Sequence, residues 1–242
     1  MRNTLTTLSL LLLLTSCHGI MDDIYDTPAT DGETGEEQLY IDASDWSLWH
    51  YIDLHTLSVS SFPIPTGKDE PSSPAEEQPG IYTYWYDVFG AGISKKEYRS
   101  FVATDSQPEP SAWDIAIHRN NVRTNGAAVH ETAFTSMDDL PESSASFADA
   151  DFHADQWNET DVWTIQDKML QGLIGNQGIR INPTLSSWLS VKLPPIPPAF
   201  TLNNHVFILR FEDGTHAALQ LVNYQSTKGV KCCLTINYKY PY

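Results

Sequence analysis

Thiols, imidazoles and carboxylates are the side chains of this 242-residue sequence that carry a nucleophilic or coordinating atom, and their spacing limits what they can do. Of the three cysteines, Cys17 follows Thr15-Ser16, small residues of the kind a lipoprotein signal peptidase needs ahead of a thiol that has received diacylglycerol. Cys232 and Cys233 are adjacent and would point to opposite faces of a strand. Such a pair rarely closes a disulfide and makes no zinc site alone, so both read as small hydrophobes. Carboxylate pairs such as Asp22-Asp23 and Asp138-Asp139 abound in a chain with 31 acidic residues, and a chance pair has little weight as a glycosidase acid and base. His118, next to Arg119 at a strand end, suits structural hydrogen bonding better than proton transfer. The sequence has no Gly-x-Ser-x-Gly elbow, Gly-rich phosphate loop, His-Glu-x-x-His or cysteine box, and it reads as a non-enzyme.

The elements that must position these residues begin after a leader. Arg2, the apolar run Leu5 to Leu14 and the cut before Cys17 make residues 1–16 a lipoprotein signal peptide, since the apolar part falls short of the ~20 residues a membrane span needs. Acyl chains on Cys17, diacylglycerol and palmitate, contribute about 0.8 kcal/mol per buried methylene and would anchor the chain to a membrane. Residues 17–38, with Asp22, Asp23, Asp26, Asp31, Glu33, Glu36 and Glu37 and few apolar side chains, read as a lipid-anchored acidic tether. Residues 39–242 are then one domain of about 200 residues. The formal charge of −17 would repel nucleic acid and anionic lipid, so no nucleic-acid partner is expected.

Strand patterns dominate that domain. Tyr40 to Asp42 and Trp46 to Val59 interleave aromatic and β-branched residues with polar ones; Thr66 to Gly80 is a loop by its prolines and serines. Ile81 to Phe89 reads as a strand and Gly90 to Pro110 as irregular. Trp113 to Ile117 alternates, and Asn120, Asn121 and Asn125-Gly126 supply turns before Ala127 to Phe134 resumes as a strand. His205 to Phe211, Ala217 to Tyr224 and Val230 to Tyr240 form a meander with turns at Glu212-Asp213-Gly214 and Ser226 to Gly229. Only Asp161 to Leu173 has helical spacing, through Val162, Ile165, Met169 and Leu173. The fold class is all-β, a single domain of mostly antiparallel strands.

The run Trp113-Asp114-Ile115-Ala116-Ile117-His118-Arg119, with Val122-Arg123-Thr124-Asn125-Gly126 and Ala128-Val129, resembles the signature stretch of HmuY-like haem-binding lipoproteins. Thr227-Lys228-Gly229-Val230 and Tyr238-Lys239-Tyr240-Pro241 are similar to the same family's C-terminal meander, and residues 60–110 match least. The resemblance implies an outer-membrane lipoprotein, possible at the cell surface, that takes haem on two axial side chains and hands it to an outer-membrane haem transporter. It implies Met137 and Met169, 32 positions apart, as haem ligands, since Met1 leaves with the leader and Met21 lies in the tether. The competing reading of both is gap-filling core methionine. Among His118, His130, His153 and His205, His153 in a polar loop is the alternative ligand, and Trp157, Trp163 and Trp188 are candidates for a porphyrin slot. No metal beyond haem iron is implied. Two other readings stay open: a surface carbohydrate-binding module stacking sugars on Trp85, Trp157 or Trp163, and an adhesive lipoprotein acting through strand edges.

Overall fold

The computed structural model describes residues 37–68, 73–87, 90, 92–165, 168–192 and 197–242; the leader, Cys17 and nearly all of the acidic tether lie outside these. Among the described residues the strands are, in chain order, β1 (Gln38–Asp42), β2 (Leu48–Asp53), β3 (Ser58–Pro63), β4 (Gly80–Asp87), β5 (Gly92–Ala103), β6 (Ile115–His118), β7 (Asn121–Thr124) and β8 (Ala128–Glu131). They continue as β9 (Gln156–Asn158), β10 (Trp163–Ile165), β11 (Leu173–Ile181), β12 (Leu189–Lys192), β13 (Ala199–Leu202), β14 (Phe207–Arg210), β15 (His216–Gln225) and β16 (Lys231–Lys239). One short α-helix, α1 (Pro183–Ser186), starts where the Asn182 side chain accepts from Leu185 N–H. The domain is all-β and antiparallel. Among the described residues no helix is long and apolar enough to cross a membrane.

The predicted meander is the largest sheet, ordered β1-β16-β15-β14-β8. Its alternating Leu219, Leu221, Leu234 and Ile236 are fully buried and pack against Leu39, Ile41, Phe207 and Leu209. A second sheet, β3-β2-β6-β7, is sandwiched, because β6 reads Ile-Ala-Ile-His: Ile115 and Ile117 join the meander's core while Ala116 faces a second cluster with Trp49, Tyr51 and Trp113. The third sheet, β10-β11-β4-β5 with β9 also on β11, holds an aromatic cluster of Tyr82, Tyr84, Tyr86 and Phe101 around Ile174.

Three expectations need correction. Asp161 to Leu173 forms no α-helix among its described residues, only the 3-10 turn Met169–Gln171, because its apolar residues serve different partners: Val162 is buried in the Trp49 cluster and its carbonyl accepts from Gln177 N–H, while Trp163 and Met169 face the Tyr82 cluster. Gly90 to Pro110 is not irregular throughout, since β5 pairs with β4 across two register shifts at Thr83 to Trp85. The stretch ahead of Ala127 is also more than turns, since Asn121–Thr124 forms β7 on β6.

Candidate functional site

Met137 stands on a loop hung from the end of β8. Val129 and His153 exchange both backbone hydrogen bonds (2.8 and 2.9 Å), closing the base of the loop. On the way out, Thr132 pairs with the Val206 carbonyl through N–H and Oγ1, and Gln220 Nε2 donates to Thr135 O at 2.7 Å. Ser136 caps a single 3-10 turn over Met137–Asp139 by accepting from Asp138 N–H. Met137 is half-buried against Phe134, Leu140, Val206 and Ile208, and it also lines a groove of about 1130 Å³ with His55, Val222 and Tyr240.

Met169 sits on an equivalent turn, Met169–Gln171, ended by Gly172 at φ 75°. Glycine is required there, since a Cβ would stand 3.0 Å from Trp85 while Gly172 O accepts from Tyr86 N–H at 2.7 Å. Met169 is half-buried on the Tyr82 cluster beside Leu170, whose side chain is 89% exposed. The two methionines therefore belong to different hydrophobic clusters, and no cavity described here is lined by both. His153 is apart from each: its backbone is held by Val129 and by Asn182 Nδ2, and its exposed ring lies 3.5 Å from Asp151.

The tryptophans separate in the same way. Trp188 is fully buried, with Nε1 donating to Asn120 O, so it fills the core of the meander side rather than a porphyrin slot. Trp157 lies over Gly178, where a Cβ would collide with it and with Tyr82. Trp163 stacks on Trp46 (centroids 6.2 Å apart, planes at 18°), and the Arg119 guanidinium covers Trp46 at 4.4 Å. No single described cavity is thus lined by Trp85, Trp157 and Trp163 together. Trp163 instead shares a cleft of about 380 Å³ with Trp46, Arg119, Asn121, Asp161 and Phe200.

Reading the sequence did not single out Trp46 or give Arg119 a site role. A signal was present: His118 pairs with Asn121, so Arg119-Asn120 is a two-residue hairpin loop, and Arg119 at φ 57° takes the first central position, where glycine is expected. An arginine held there is tied down by its own side chain, which donates to Ser44 O at 2.7 Å.

Electrostatics exclude several groups from chemistry. Burial pushes the His118 pKa down to about 4, so the ring is neutral, with Nε2 committed to the Trp46 carbonyl. Burial pushes the Cys232 thiol up to about 11 and Cys233 upward too, which keeps both as inert thiols, as the sequence suggests. Asp53, His55 and Asp114 bring three donor atoms within 4.8 Å of one another. Their carboxylates are already used, Asp53 accepting from His55 and Thr56 N–H and Asp114 from Leu54 N–H, so they pin the turn after β2.

With this geometry in view, the profile of the HmuY protein family matches residues 45–238. The chain belongs to the HmuY family. Its fold is similar to that of a Bacteroides vulgatus protein proposed to be HmuY-like and haem-binding, with 32% identity, a TM-score of 0.59, and 85% of this chain and 91% of that one covered. A Bacteroides fragilis protein proposed to be a lipoprotein is similar at 28% identity and TM-score 0.60, over 89% of this chain and 95% of that one. The apo HmuY analogue of Tannerella forsythia shares the fold at 20% identity and TM-score 0.60, with 86% and 97% covered. No curated protein sequence matches this chain. Met137 and Met169 present thioether sulfurs that are not fully buried, a donor type that haem iron accepts, on two separate clusters.

Proposed function

We propose that this HmuY-family protein is an exported, lipid-anchored haem binder, with Met137 and Met169 as the axial ligands. The observation that carries the reading is the shared setting of the two methionines. Each occupies a three-residue 3-10 turn outside the strands, half-buried beside aromatic residues, where a core methionine would have been swallowed by a sheet. Haem iron accepts soft donors at two axial positions, and thioether ligation favours the reduced state. The chain's own contribution is to hold each sulfur on a short, capped turn while the flanking strands stay fixed. Trp157, half-buried on the same cluster as Met169, supplies flat apolar surface. His153 is the alternative ligand on the Met137 loop.

The reading extends to the membrane. Lipid on Cys17 would place the domain at the outer membrane, on a tether long enough to meet an outer-membrane haem transporter and pass haem to it. Titration of the protein with haem, oxidised and reduced, tests the core of the proposal. A sharpened Soret band is expected, weakened in Met137→Ala and in Met169→Ala and unchanged in His153→Ala. No spectral change in either oxidation state would overturn it, and loss in His153→Ala alone would move one ligand. For the anchor, Cys17→Ser is expected to abolish metabolic labelling with palmitate and to release the chain from the membrane fraction; a variant that stays in the membrane fraction counts against it.

A further inference from the structure

The cleft between Trp46, Trp163 and Phe200 contains neither methionine, and its one imidazole, His118, is fully buried with Nε2 on a carbonyl. The His118 Nδ1 has no partner but is buried out of reach of the cleft, so the imidazole presents no accessible nitrogen to iron. The geometry points to a second, independent binding site here, for a neutral hexose unit of a glycan.

Four observations fit that chemistry. A pyranose has one or two faces of C–H bonds and a rim of hydroxyls. It needs flat aromatic surface for the first and convergent amides and hydroxyls for the second. Trp163 and Phe200 give the cleft aromatic walls, and Asn120, Asn121 and Ser190 bring amide and hydroxyl groups to the same space. The cleft carries one cation and one anion, Arg119 and Asp161, so within a strongly acidic chain it is locally balanced, which favours an uncharged polyol over an anion.

The walls are also set in advance. Trp163 Nε1 donates to Thr160 O at 2.9 Å, Asn121 Nδ2 to Asp161 O at 2.9 Å, and Asn158 Nδ2 to Asp161 Oδ2 at 2.7 Å. Arg119 is clamped between the Ser44 carbonyl and the Trp46 ring. Little side-chain entropy is left to lose when a ligand enters, and a volume of about 380 Å³ is in the range of small-ligand pockets. Finally, Arg119 occupies a left-handed turn position that costs an L-residue about 1–2 kcal/mol and that glycine would fill freely. The strain is repaid by where it puts the guanidinium, at the lip of the cleft over Trp46.

Intrinsic tryptophan fluorescence of the full chain, titrated with glucose, galactose, mannose, N-acetylglucosamine and their 1,4-linked disaccharides, tests the site. A saturable change is expected for at least one sugar, with millimolar or tighter affinity. Trp46→Ala should weaken it at least about tenfold. Arg119→Gly, which relieves the turn and so stays folded, should weaken it as well. Haem titration of both variants should keep the parent end point, which separates this site from the methionine site. If no sugar in the panel gives a saturable change, or if binding survives both variants intact, the assignment is wrong. Loss of haem binding in Trp46→Ala would also overturn it, by merging the two sites.

Discussion

The meander of β14, β15 and β16 and the stretch from β9 to β12 keep their backbones in place by different means. In the meander, strands of up to ten residues bury aliphatic side chains on the core face, while Gln220 and Thr235 are buried on the other. From β9 to β12 the strands are mostly three or four residues long, and side chains replace the ladder. Asn182 donates to the carbonyl of His153 and to Asp155, caps α1, and pairs its own N–H with Val122 O. Asp155 in turn accepts from Thr124 N–H and Oγ1. The first region gains its stability mainly from buried area. The second is a set of specific polar joints, and both the aromatic cleft and the Met169 turn are built on it.

The largest effect expected on either side of this contrast is Leu234→Ala in the meander. The side chain is fully buried, and truncation should cost about 2–5 kcal/mol, read as a lower urea midpoint with an unchanged slope. A loss well under 1 kcal/mol would mean that the meander is not the cohesive half.

Acid probes the joint between the regions at His118. Its folded pKa of about 4 lies below the ordinary 6.5, so the unfolded chain takes up the proton first as pH falls. The contribution of the neutral ring is complete above pH 6.5 and is lost on the way down to about pH 4, on the order of 3 kcal/mol in all. Thermal unfolding from pH 7 to pH 4 should therefore show a falling midpoint, with a shallower fall in His118→Asn.

Asn182→Ala should cost about 1–3 kcal/mol, because it removes a donor to Asp155 and to the His153 carbonyl and uncaps the helix start together. Amide exchange is expected to speed up around residues 153–158 and 183–186 while the meander stays protected. Gly172→Ala is the mildest in stability, about 1–2 kcal/mol from the left-handed backbone and the Trp85 contact. Its sharper readout is haem affinity, which should fall because the Met169 turn is displaced.

The same contrast explains what could be read from residues alone. The meander was legible because alternation of Leu, Ile and polar residues is a local property, and its three strands fall within two residues of their predicted bounds. The signature stretch likewise gave β6. Asp161 to Leu173 misled because Val162, Ile165 and Met169 recur at helical spacing while burying into separate clusters, a fact of tertiary placement that spacing does not carry. Trp188 looked like slot material and is core because Asn120 O, distant in sequence, receives its N–H. Trp46 gave no periodic signal at all, since its value lies in Arg119 and Trp163, more than seventy residues away.

The Val129–His153 bridge has a consequence for the Met137 loop as a whole. Both ends of residues 130–152 are gathered at one rung of β8, and His130 Nδ1 on Asp151 O draws the same neck tighter. The entropy of closing this long circuit is thus met by the sheet, and is no charge on whatever Met137 engages. It also makes the loop a pendant. A cut anywhere from residue 141 to 146 would leave both new ends fastened to the body, so the protein could lose covalent continuity beside its proposed ligand and still keep its fold.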